Sequence, residues 1–290
     1  MMLIFRLILV LVCLSFQVHY LNAYNTNDKL PISVLMLAWY NSLSLNHTLT
    51  TFNNTGLFKM TSECVIFFNE INDRKAASVK EYPVHIIGSV YNVYIARSMQ
   101  MLFSAAQYPY ALFVEKDFSI NIERSLVFSE LQIAYDSIRD RDVDVYHLRS
   151  IEFPGNPQHA KSLFGGKEDH AVAANSLYVC TFSSWINNTA ERWPHIFKHC
   201  GKHQVLCVKS AHCNWTNNPF MISVKFWIMN MMPAIQEMFK DHRYAPHQQH
   251  MHRSPHLIEP WINKEPHLWK NRNYTIGRGR GIFTHYEIDG

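Results

Sequence analysis

Four short runs of aliphatic and aromatic residues, ISVLMLAWY (32–40), CVIFFNEI (64–71), VHIIGSV (84–90) and YALFVE (110–115), alternate with longer amphipathic stretches through the first 115 residues. Runs of this length that are apolar at nearly every position read as strands buried on both faces. Between the third and fourth lies NVYIARSMQMLFSAAQ, whose apolar residues recur at helical spacing behind Asn92, a residue type suited to cap a helix. SLVFSELQIAYDSIRD (125–140) continues the pattern as a helix and VDVYHL (143–148) as a strand. Strands alternating with helices predict an α/β fold with a mostly parallel central sheet flanked by helices.

The second half is less regular. NSLYVCTF (175–182) reads as a strand, SSWINNTAERW as a capped helix and PFMISVKFWIMNMM (219–232) as a further apolar segment, before proline and histidine become frequent between 246 and 266. With no internal repeat and no long linker, the expectation is one domain of two lobes, 32–150 and 151–290, sharing a sheet. The chain has 290 residues, 48% of them hydrophobic, enough for a substantial core. Its net charge is +4, with the cations scattered except for Lys270, Arg272, Arg278 and Arg280. That pattern argues against nucleic-acid binding and for a small anionic ligand.

Residues 1–23 carry an apolar run from Leu7 to Phe16 behind Arg6, the length of a signal-peptide core rather than a full membrane span. They predict a signal peptide or a signal anchor, the latter holding the chain to a membrane, with 24–290 as the folded part. Five acceptor triplets for N-glycosylation, at Asn46, Asn53, Asn187, Asn214 and Asn273, agree with secretory entry. Beyond Cys13 in the leader, one or two disulfides are expected among Cys180, Cys200, Cys207 and Cys213, with Cys64 buried in its strand.

The fourth apolar run ends abruptly in Glu115, Lys116 and Asp117. Ligands of open α/β sheets bind beyond the carboxyl ends of strands, and strand alternation would turn Glu115 and Asp117 to one side. Two converging carboxylates repel unless a cation joins them or one takes a proton. Oxygen ligands of this kind suit Mg²⁺ or Mn²⁺.

The run NVYIARSMQMLFSAAQYPYALFVEKDF resembles the nucleotide-sugar half of a GT-A type glycosyltransferase, in which a helix leads into a strand that ends in a DxD-like acidic motif. Glu115 stands where the first aspartate is usual. The resemblance implies the GT-A fold over roughly 32–290, a single catalytic domain, a nucleotide-sugar donor, UDP above other carriers, and Mn²⁺ or Mg²⁺. It places Trp39, Asn41 and Glu70 against base and ribose. Asp117, Glu115 and His285, the histidine of GRGRGIFTHYEID, become metal ligands, and Arg97, Arg278 and Arg280 offset phosphate charge. Gly277, Gly279 and Gly281 would let a C-terminal loop close over the donor. Glu259, before Pro260 at a helix start, matches the base of inverting members, with Asp117 beside it in the catalytic set.

The implied activity is transfer of a sugar to a glycan or glycoprotein acceptor, in the Golgi or the ER lumen. The competing readings are a lumenal or secreted carbohydrate-binding pseudoenzyme of the same fold and a secreted metallohydrolase. The latter would be built on His247, His250, His252 and His256, which lack the order of a zinc-protease motif.

Overall fold

The computed structural model describes residues 29–39, 43–155, 167–182, 188–240 and 258–286. Asn41, Asn187, Asp241 and the four histidines from His247 to His256 lie outside the described residues, as does the leader. No helix among the described residues is long and apolar enough to cross a membrane.

The strands are β1 (Leu30–Ala38), β2 (Thr61–Asn69), β3 (His85–Ser89), β4 (Tyr110–Glu115), β5 (Phe118–Ile120), β6 (Val145–Arg149), β7 (Phe197–Cys200), β8 (Val205–Lys209), β9 (Phe220–Ser223) and β10 (Thr275–His285). They form one 10-stranded sheet in the order β3-β2-β1-β4-β9-β6-β10-β8-β7, with β5 paired to β10. The pairings make β1 to β4, β6, β7 and β10 run one way and β5, β8 and β9 the other. The fold is mixed α/β with a large, mostly parallel central sheet.

Near-continuous apolar runs make two cores, one on each face of the sheet. Leu35, Leu37, Ala111 and Phe113 point to one face, and Val34, Met36, Leu112 and Val114 to the other. Helix α1 (Leu43–Thr55) and helix α3 (Arg124–Arg139) cover the second face through Leu45, Leu49, Phe52, Val127 and Leu131. Helices α2 (Tyr94–Ala105), α4 (Met232–Lys240) and α5 (Ile258–Lys264) cover the first, through Met99, Phe103, Ile235, Met238 and Trp261.

Three expectations are corrected or refined. Residues 175–182 do not form a strand: Val179–Phe182 is a helical turn, tied to the rest by the Cys180–Cys213 disulfide. A short apolar run does not by itself distinguish a buried turn of helix from a strand. The segment 219–232 splits at Ser223, whose hydroxyl accepts from the Phe226 N–H at 3.0 Å and turns β9 into a helical stretch.

The third concerns the C-terminus, which is no loop. β10 has 11 residues and inserts between β6 and β8. Its glycines serve close packing rather than closure: a Cβ at Gly279 would lie 2.1 Å from the Tyr146 hydroxyl and 2.4 Å from a Glu130 oxygen. Glu130 is buried and accepts from the Tyr146 hydroxyl at 3.1 Å and from the Gly281 N–H at 3.0 Å, so α3 grips the strand through its backbone.

The second disulfide joins Cys200 and Cys207, and Cys64 is free and buried in β2, as expected. Of the acceptor asparagines, Asn46, Asn53 and Asn273 are exposed, whereas Asn214 is half-buried beside Trp215.

Candidate active site

The strands that run one way end at one edge of the sheet, and the residues singled out from the sequence gather there unevenly. Trp39 follows β1 and Glu70 follows β2; the indole N–H donates to Glu70 Oε2 at 3.3 Å. Glu70 takes a left-handed conformation (φ 60°), and its carbonyl accepts from Lys75 Nζ at 2.7 Å. Trp39 is 45% exposed at the rim.

β4 stops at Glu115, and the chain reverses through Lys116 and Asp117 into β5. The turn, not strand alternation, therefore sets Asp117. The Lys116 N–H donates to the Leu37 carbonyl at 3.0 Å, and the Asp117 carbonyl accepts from the Tyr286 N–H at 2.7 Å. β5 then zips against the end of β10, with Phe118 opposite His285. Residues 168 positions apart in sequence thus meet: His285 Nε2 lies 3.2 Å from Asp117 Oδ2, with side chains only 13% and 16% exposed.

Asp117 Oδ1 and His285 Nδ1 are buried and have no hydrogen-bond partner among the described residues. An anionic oxygen and a ring nitrogen left this way are a costly arrangement that a divalent cation would relieve. The pair fits such an ion, which commonly binds one or two protein groups and takes further oxygens from substrate phosphates. No group of three such side chains assembles among the described residues, so Glu115 does not complete a three-residue protein cage.

Glu115 has a different character. Burial pushes its carboxyl well above the usual range, the negative charges of Asp117 and Glu259 push the same way, and Lys116 pulls back. Glu259 opens α5, and its Oε1 accepts from the Asn217 N–H. One turn on, Asn263 accepts from the Trp215 N–H at 2.7 Å and donates to the Trp215 carbonyl at 2.8 Å, so the same helix face holds the 215–217 segment at two points.

The arginines divide. Arg278 lies within the sheet opposite His147, where burial and then the Arg149 charge lower its pKa to about 10. Arg280 is exposed and pairs with Glu152 at 2.7 Å. Arg97, also exposed, sits over the Phe239 ring at 5.2 Å. None of the three makes a hydrogen bond to Asp117 or His285. The residue that sequence reasoning missed is Arg149, at the end of β6, whose pKa burial lowers and the charge of Asp117 partly restores. Its one sequence signal is a cation closing an apolar strand. A cavity of about 880 Å³ lined by Lys29, Lys59, Arg124 and Phe128 opens at the other edge, by the amino ends of β1 and β2, away from these acids.

The chain matches no family model and no curated protein. In structure it is similar to S. aureus TarS residues 1–349, at 13% identity over 88% of this chain and a TM-score of 0.45; it spans 60% of that chain. It is also similar to the glucosyl-3-phosphoglycerate synthase of Mycobacterium tuberculosis in complex with Mn²⁺, UDP and glucosyl-3-phosphoglycerate, at 9% identity, 88% of this chain, 72% of that one and a TM-score of 0.48. A third is the mannosyltransferase PcManGT of Pyrobaculum calidifontis in complex with GDP-Man and Mn²⁺, at 10% identity, 49% of this chain, 43% of that one and a TM-score of 0.35. These structures are of the GT-A type, and identity is low throughout.

Proposed function

We propose that this chain is a glycosyltransferase that moves a sugar from a nucleotide-sugar donor, UDP-linked before GDP-linked, to a glycan or glycoprotein acceptor in the secretory pathway. The observation that carries the reading is the Asp117–His285 junction, where two sequence-distant groups, each with a buried atom that has no partner among the described residues, meet at the carboxyl edge of a mostly parallel sheet. Asp117 and His285 would hold Mn²⁺ or Mg²⁺, and such an ion supplies stabilisation of negative charge on the departing diphosphate.

The remaining roles fall to the chain's own side chains. Trp39 and Glu70, joined by their hydrogen bond, offer a ring face and a carboxylate to base and ribose. Glu115, held toward its neutral form, can donate a hydrogen bond to a ribose or phosphate oxygen as well as accept one. Glu259, anchored by the Asn217 N–H, would take the proton from the acceptor hydroxyl, and a base acting directly on the acceptor gives inversion.

The test is a screen of UDP- and GDP-sugars with Mn²⁺ or Mg²⁺, following nucleoside diphosphate release by the wild type and by Glu259→Gln. Turnover by the wild type with one donor, depressed on the order of 100-fold in the variant while donor binding persists, supports the reading. Binding of donors with no release or transfer would favour a carbohydrate-binding pseudoenzyme instead. Absence of any nucleotide binding would overturn both.

A further inference from the structure

Arg149 ends β6 beside the Asp117 turn, and its guanidinium is engaged on three sides. Nε donates to the Pro154 carbonyl at 2.7 Å, one terminal nitrogen to the Gly155 carbonyl at 3.3 Å and the other to Asn218 Oδ1 at 3.1 Å. Its cationic carbon lies 5.9 Å from the centre of the Phe118 ring, the residue after Asp117.

The Pro154–Gly155 turn is in turn pressed onto His285. The Pro154 carbonyl, already bonded to Arg149, also accepts from the His285 N–H at 3.3 Å, and Gly155 forms an isolated parallel bridge with His285. Gly155 has φ +70°, and a Cβ there would lie 2.0 Å from the His285 carbonyl oxygen, so only glycine permits the approach. The third acceptor, Asn218, adjoins Asn217, whose N–H holds Glu259.

We propose that Arg149 is the positioning residue of this site: its forked donors fix the Pro154–Gly155 turn that sets His285 against Asp117, and tie that turn to the segment holding Glu259. This rests on the glycosyltransferase reading for the use of the pair, but not for the geometry. A planar guanidinium reaches three separate acceptors at once; a lysine ammonium is a point charge on a flexible stem and does not reproduce that fork. Groups that orient metal-binding side chains from behind typically change metal affinity 10–100-fold when removed.

The experiment is calorimetric titration of the full chain with UDP, with and without saturating Mn²⁺, for the wild type, Arg149→Lys, Arg149→Gln and Asp117→Asn. The readout is the ratio of UDP affinities with and without the metal, which a general loss of packing would not move selectively. Arg149→Lys, which keeps the charge and most of the stem, should lower that ratio about 10-fold or more while leaving metal-free UDP binding in place. Arg149→Gln should lower it at least as far. A folded Arg149→Lys protein with the wild-type ratio, when Asp117→Asn has lost it, would overturn the role of Arg149 alone. A wild-type ratio of one would instead bring down the metal-site reading, and the inference with it.

Discussion

The two halves of the sheet solve the same packing problem differently. From β1 to β4 the strands all run parallel, each connection carries its helix or turn across a face, and the candidate residues Trp39, Glu70 and Glu115 come at the ends of β1, β2 and β4. From β5 to β10 the directions mix, two disulfides tie the edge, and the last strand of the chain lies between the sixth and the eighth. The first half builds its edge from local order. In the second, the edge is assembled from residues far apart in sequence: Arg149, Glu259 and His285 each come from a separate segment, and His285 reaches Asp117 through the β5–β10 pairing.

That contrast can be broken from its less local side. Cys180→Ser with Cys213→Ser opens a bridge between residues 33 apart, and should cost about 2–4 kcal/mol in urea denaturation. Hydrogen exchange should then quicken through β7, β8 and β10 while β1 and β2 keep their protection; equal loss across both halves would mean that they do not differ in how they are held together.

A smaller effect sharpens the boundary between the halves, where the charges of Asp117 and Glu259 act on Glu115. Its carboxyl is raised well above 4.5 in the folded protein, so the native state holds that proton more tightly than the unfolded chain does. The folded state therefore loses stability as pH rises from about 4.5 through the raised pKa. Glu115→Gln removes that loss: its melting temperature should match wild type near pH 4 and exceed it at pH 8. A variant equally destabilised at both values would show that the ionised carboxylate is not the strained form.

The first half was legible because β1, β2 and β4 are buried on both faces and so apolar nearly throughout, a signal that needs no partner to interpret, while the edge strand β3 is only half-buried. YALFVE coincides with β4 from Tyr110 to Glu115. Helix α1 was not legible: LSLNHTLTTFNNT is rich in Thr and Asn, poor helix formers, and burial of Leu45, Leu49 and Phe52 on the sheet overrides that preference. β10 was misread for a related reason. Alternating Gly and Arg look like a mobile basic segment, and only the positions of Tyr146 and Glu130 explain why side chains must be absent there. Asp117 and His285 could each be singled out along the chain, but their 3.2 Å approach depends on the β5–β10 pairing, which no local pattern announces. Arg149 escaped because its value lies in three acceptors, at 154, 155 and 218, that the sequence does not place beside it.

The claim on which the rest depends is that this junction binds a nucleotide through a divalent cation. The most direct measurement is Mn²⁺ bound per chain in the presence of UDP or GDP, read from the paramagnetic signal of the free ion, for the wild type, Asp117→Asn and His285→Ala. The account predicts about one Mn²⁺ per wild-type chain with at least one of the nucleotides, an affinity loss on the order of 100-fold in Asp117→Asn and on the order of 10-fold in His285→Ala, with unchanged circular dichroism. A folded Asp117→Asn protein that binds Mn²⁺ and nucleotide as the wild type does would contradict it.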